Sequence, residues 1–118
     1  MTELIFTFSS DQKKWPHLIH LIQGKNWNKI FAVTEPALVN KLQSSKNIEY
    51  IVVDYSLPVS QIIPALTSQL KSKLGGFEIA LNLVSGSGKE HMVILSSLLK
   101  LGAGIRLTAY TKKGVVEI

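Results

Sequence analysis

The run Ser85-Gly86-Ser87-Gly88-Lys89 carries the residue types best suited to holding a phosphate. Two glycines let backbone N–H groups turn toward a ligand at the start of a helix, where the helix dipole favours negative charge. Lys89 adds a full positive charge, and Ser85 and Ser87 add hydroxyl donors. Together they describe a phosphate cradle. They equally describe a permissive strand-to-helix loop with a surface lysine, and the run alone leaves both readings open. A Walker A loop is rejected. That pattern needs Gly, four residues, then Gly-Lys-Ser/Thr. Here Leu83 stands at the first glycine position, and Glu90 follows the lysine where a magnesium-binding hydroxyl belongs. Asp54 is the one acidic strand end that resembles a metal partner, and no Gly-x-Gly-x-x-Gly follows Phe8.

Other reactive residues point less sharply. His17 and His20 lie three apart, a spacing that puts both on one helix face, but no third metal ligand is evident and no metal site is expected. They read as polar residues on a helix edge. His91 lies two residues from Lys89, near enough to the cradle to donate a proton in phosphodiester chemistry; a solvated helix position is its plainer reading. Trp15 and Trp27 read as core or interface anchors rather than base-stacking platforms, and Lys112-Lys113 as a solvated turn. There is no pair of carboxylates at catalytic spacing and no inferable Ser-His-Asp set. The absence of cysteine removes disulfides, thiolate zinc sites, iron–sulfur clusters and cysteine nucleophiles together, and it fits a reducing compartment.

These residues need elements to hold them. Leu4–Phe8 is a short apolar run that stops at Ser9-Ser10-Asp11, the pattern of a strand followed by a helix cap. Residues 12–23 carry an apolar stripe at Trp15, Leu18, Ile19, Leu21 and Ile22, with Pro16 in the first turn and Gly24 at the end. Lys29–Val33 predicts a second strand, and Thr34 the cap of a helix from about Glu35-Pro36 to Ser44. Ile48–Val53 predicts a third strand, rich in branched and aromatic residues. Residues 58–73 form the next helix, with Pro64 as a bending point and Gly75-Gly76 closing it. Phe77–Val84 predicts the fourth strand, 89–101 a helix stopped by Gly102 and Gly104, and Ile105–Tyr110 the fifth strand. Thr111–Gly114 turns the chain into a sixth, antiparallel strand at Val115–Ile118.

The expected fold is therefore α/β: a Rossmann-like three-layer sandwich, with a mostly parallel sheet ending in a C-terminal antiparallel hairpin strand. At 118 residues it reads as one domain over 1–118. Hydrophobic residues at 46% against 18% charged exclude a disordered chain. A formal charge of +5 favours an anionic ligand or nucleic acid over a cationic one. No stretch approaches the roughly 18–20 apolar residues of a membrane span, and the N-terminus has a strand's profile rather than a signal peptide's. A soluble, cytoplasmic protein is expected. The chain ends inside the last predicted strand, which fits a whole protein or a domain of a longer one.

In such sheets ligands bind beyond the carboxyl ends of the strands, where strand order reverses. With order 3-2-1-4-5, the loops after strands one and four meet there. With order 2-1-3-4-5, strand three separates them. The sequence leaves both open.

The first strand running into Ser9-Ser10-Asp11, and Leu81-Asn82-Leu83-Val84-Ser85-Gly86-Ser87-Gly88-Lys89 opening an apolar helix, resemble the CRISPR-associated Rossmann fold (CARF) domains. The glycine-rich segment is similar to that family's Asn/Asp–hydrophobic–Ser/Thr–Gly–Gly/Thr–Lys/Arg motif after strand four, with one residue more between Asn82 and Lys89. The element order matches over the whole chain. The resemblance implies a two-fold homodimer with a cyclic oligoadenylate in the shared cleft. It implies that Ser9 and Ser10 touch ribose or phosphate. Ser85, Gly86, Ser87 and Gly88 would offer donors to phosphates, and Lys89 would supply charge. Family members usually join this sensor to a nuclease or a DNA-binding winged helix, so a separate effector domain or protein is implied. Some members cleave the ring themselves without metal, through a ribose 2′-hydroxyl.

The expected function is a homodimeric, CARF-like sensor of cyclic oligoadenylate or a related nucleotide, with no cofactor. The alternatives are a metal-independent ring nuclease on the same site, and a small α/β interaction subunit without a nucleotide. A DNA-binding regulator comes last, since no Arg-rich recognition helix is visible.

Overall fold

The computed structural model describes residues 2–76 and 78–118. Five strands run parallel and a sixth antiparallel, in the order β3-β2-β1-β4-β5-β6. They are β1 (Glu3–Thr7), β2 (Lys29–Thr34), β3 (Glu49–Val52), β4 (Glu78–Asn82), β5 (Gly104–Thr111) and β6 (Gly114–Glu117). The helices are α1 (Trp15–Gln23), α2 (Val59–Lys73) and α3 (Gly88–Lys100).

The chain steps from β1 outward to β3, then crosses back over the sheet to β4 on the other side of β1. Because parallel crossovers are right-handed, that reversal puts α1 on one face and α2 with α3 on the other. Side-chain alternation follows. Ile5, Phe31, Val33, Ile51, Ile79 and Leu81 pack under α2 and α3 against Leu66, Leu70, Ile94 and Leu98. Leu4, Phe6, Phe8, Ile30, Ala32 and Ala80 pack under α1 against Leu18, Leu21 and Ile22. The central strand β1 is covered on both faces, so every residue from Glu3 to Thr7 is buried, and its middle, Leu4–Phe6, is apolar without alternation. Buried Glu3 is satisfied by the Gly75 amide, which holds the end of α2 against the start of β1. The architecture is the expected Rossmann-like α/β sandwich, and the strand order is 3-2-1-4-5, continued by β6.

One predicted helix is absent. Between Glu35 and Ser44 the chain makes only a 3-10 turn at Pro36–Leu38, so among the described residues three α-helices flank the sheet instead of four. Leu38 and Leu42 are buried four residues apart, which mimics a helical stripe, but Asn40 between them takes φ 64°, a left-handed conformation that ends any helix. Thr34, predicted as the helix cap, instead donates its hydroxyl to the Phe8 carbonyl at 2.7 Å and ties β2 to the loop after β1.

Smaller shifts have local causes. Asp11 accepts the Lys13 amide and caps a 3-10 turn (Gln12–Lys14) that precedes α1. The helix α2 continues through Pro64. The predicted start of the fourth strand at Phe77 lies outside the described residues. Among the described residues, no helix is long and apolar enough to cross a membrane.

Candidate functional site

Because β1 and β4 are neighbours, the loops that follow them meet at the carboxyl edge of the sheet. They are bonded together. The Ser9 amide donates to Ser85 Oγ at 2.9 Å, and the two serine hydroxyls stand 2.9 Å apart. The Thr7 hydroxyl donates to the Ser85 carbonyl. On the other side, the Trp15 indole donates to the Ser9 carbonyl at 2.9 Å while its ring packs on Phe8. The two loops therefore form one supported platform rather than two mobile turns.

The loop after β4 is built around its own helix start. Ser87 caps α3, and a reciprocal capping box joins Ser87 and Glu90: the Ser87 hydroxyl accepts the Glu90 amide, and the Glu90 carboxylate accepts the Ser87 amide. Gly86 has φ 100°, which favours glycine, and a Cβ there would stand 2.6 Å from Glu90 Oε2 and push the capping carboxylate aside. Two helix-start amides remain. Among the described residues, no acceptor takes the N–H of Gly88 or Lys89. They are the donors a ligand oxygen meets at the positive end of the helix dipole.

Lys89 reaches sideways. Its Nζ donates to the Tyr55 and Leu57 carbonyls at 2.7 and 2.8 Å, which fastens α3 to the loop after β3. Its charge stays beside an open cleft of about 450 Å³. Ser9, Ser10 and Asp11 line one side of that cleft, and Gly86, Ser87, Lys89 and Glu90 line another. The loops after β2 and β3 complete it with Glu35 and Tyr55.

Of the residues expected from sequence, Ser9, Ser10, Gly86, Ser87 and Lys89 line this cleft. Ser85 sits behind it, fully buried, with its hydroxyl and carbonyl committed to the end of β1. Gly88 is the first residue of α3 and offers only its amide. His91 points back: its Nε2 lies 2.8 Å from the Ser85 carbonyl, which can only accept, so that nitrogen carries the proton and spends it there. Glu35 and Tyr55 were not singled out by sequence reasoning. The available signal was their position just past the ends of parallel strands, where every following loop points to the same edge.

The lining is mixed rather than basic. Asp11, Glu35 and Glu90 face it with Lys89, so the overall positive charge of the chain is not focused here. Tyr55 contributes a buried hydroxyl that has no hydrogen-bond partner among the described residues. Burial, with the charges of Glu90 and Glu35 beside it, holds the Tyr55 proton far above the usual phenol range.

The remaining candidates have structural partners. The Trp27 indole donates to the Leu21 carbonyl. His20 stacks on Tyr110, and His17 Nε2 lies 3.1 Å from Asn82 Nδ2. Among the described residues, no group of three His, Asp or Glu is placed to hold a metal. A second cavity, of about 220 Å³, opens at the opposite edge of the sheet beside Lys25 and Trp27. The guanidinium lining it, Arg106, is taken up by Glu78 and Glu117. Comparison of the chain with protein-family models, curated proteins and solved structures finds no match.

Proposed function

We propose that this chain binds a ribonucleotide in the cleft between the loops after β1 and β4, and that it acts as a homodimeric sensor of cyclic oligoadenylate. The observation that carries this reading is the mixed lining at the strand-order switch point. Open helix-start amides and Lys89 suit phosphate oxygens, whereas serine hydroxyls and carboxylates suit sugar hydroxyls. A ligand that alternates phosphates with ribose hydroxyls meets both. An inorganic anion would use half of the cleft and be repelled by the rest.

The homodimer has support of its own. Met92 and Leu99 lie on one side of α3 and are 59% and 67% exposed. They stand seven residues apart, two helical turns, with half-buried Leu95 and Ser96 between them. A two-fold axis running along α3 pairs the helix side by side with its copy and sets Met92 against Met92 and Leu99 against Leu99, a self-complementary interface. Since α3 starts in the cleft, that pairing would bring two clefts toward one axis, where a two-fold ring fits.

Calorimetric titration with cyclic tetra- and hexa-adenylate, followed by chromatography of the ligand, tests the proposal. The expected result is saturable binding at one ring per two chains, with the ring recovered intact. Lys89→Ala is expected to weaken it by about tenfold, through loss of a charge-assisted contact. Linear products bearing a cyclic phosphate would replace the sensor with a ring nuclease. No binding by a folded dimer would leave an interaction subunit.

A further inference from the structure

Three carboxylates line the cleft, and two of them are already committed. Asp11 accepts the Lys13 amide, and Glu90 accepts the Ser87 amide. Glu35 is different. It occupies the N-cap position of the Pro36–Leu38 turn, yet its side chain makes no capping hydrogen bond. It is exposed, and among the described residues it forms no ion pair. A cap residue that leaves its turn uncapped while facing a cleft holds an acceptor in reserve.

Its place in the fold gives that acceptor a use. Glu35 directly follows β2, the parallel neighbour of β1, and Pro36 fixes the backbone beside it. The strand ends are locked: the Phe8 amide donates to the Val33 carbonyl at 3.0 Å, and the Thr34 hydroxyl donates to the Phe8 carbonyl. The backbone that carries the carboxylate is thus held beside the loop of Ser9 and Ser10, and all three residues line the cleft. In dinucleotide-binding sheets of this strand order an acidic residue after the second strand accepts a ribose hydroxyl, and here Glu35 lines the same cleft as Lys89 on the phosphate side.

We infer that Glu35 is the ribose-reading residue of the cleft: its carboxylate accepts a 2′-hydroxyl of the bound nucleotide and makes the site selective for ribose over deoxyribose. This rests on the nucleotide reading above and adds which part of the ligand is discriminated. Phosphates are repelled from this position by the same charge, so Glu35 also sets which way round the ligand lies. A ligand lacking the 2′-hydroxyl leaves an ionised acceptor desolvated and unpaired, a large penalty for one missing atom.

The test is a cycle between residue and ligand atom. Cyclic tetra-adenylate and its fully 2′-deoxy analogue are titrated by calorimetry into the wild type, Glu35→Ala and Glu35→Gln. The wild type is expected to prefer the ribose ring by about tenfold or more, the scale of a hydrogen bond to a charged group. Glu35→Ala is expected to bind both rings alike. Glu35→Gln keeps an acceptor oxygen and should retain part of the preference. Equal affinity of the wild type for both rings overturns the assignment while leaving the nucleotide reading intact. So does full discrimination by Glu35→Ala. An equal loss for both rings in Glu35→Ala would point to an amine on the base as the true donor, and also overturns it. A wild type that binds neither ring overturns the nucleotide reading, and this assignment with it.

Discussion

Ser9 and Ser85 are 76 positions apart in the chain, and their hydroxyl oxygens stand 2.9 Å apart at the head of the sheet. This pairing exists because β1 and β4 are adjacent, and it converts two loops into one platform. Ser85 is buried and takes the Ser9 amide, so its hydroxyl organises the site from behind.

Ser85→Ala is therefore expected to act on stability as well as on binding. It leaves the Ser9 amide without its acceptor in a part-buried position, a cost of about 1–3 kcal/mol. The urea midpoint should fall with an unchanged slope. An unchanged midpoint would mean that the platform does not depend on this bond.

Tyr55→Phe should have the opposite sign. The Tyr55 hydroxyl is buried without a partner among the described residues, so removing it relieves a desolvation penalty. The melting temperature of the free protein is expected to rise by about 3 °C or more. A fall in melting temperature would show that the hydroxyl is satisfied in solution, by water or by one of the two nearby carboxylates.

The contact between α1 and the sheet should be sensitive to acid. The Asn82 Oδ1 accepts the Val84 amide and its Nδ2 donates to the Thr108 carbonyl, so the amide cannot turn over. It therefore presents an N–H to His17, whose Nε2 must be the acceptor of a neutral ring. Burial first, then the charges of Lys14 and His20, holds the His17 pKa below its ordinary 6.5. As the pH drops below that value, the unfolded chain takes up the proton before the folded one does. Stability is then full above about pH 6.5 and declines as the pH falls through the lowered value. His17→Gln keeps an acceptor without a titratable group. The urea midpoint of the wild type should fall relative to that of the variant on going from pH 7.5 to pH 5. A constant difference would contradict the neutral-acceptor geometry.

Much of this architecture was legible in sequence because strands and helices alternate, and each carries its own period. The apolar run of β1, the stripe of α1 and the helix after the Ser85–Gly88 loop are local signals; β1 and α3 lie within one residue of expectation, and α1 begins three residues later, after a 3-10 turn. The helix expected after Thr34 failed because Leu38 and Leu42 have helical spacing without a helix, while Pro36 and Asn40 impose turns. The site was legible in part. Its serines and glycines follow from loop chemistry, but Lys89 meeting the Tyr55 and Leu57 carbonyls is a long-range contact that no local pattern encodes. Glu35 and Tyr55 enter the cleft only through strand order, which the hydrophobic periods of the strands do not specify.

Amide chemical shifts of isotope-labelled protein test the proposed nucleotide site in this cleft. On titration with cyclic tetra-adenylate, the largest changes are predicted at Ser9, Ser10, Gly86, Gly88 and Lys89, with Glu35 following and the Lys25–Trp27 edge of the sheet unmoved. Changes confined to that opposite edge, or no change at saturating ring concentration, would contradict the account.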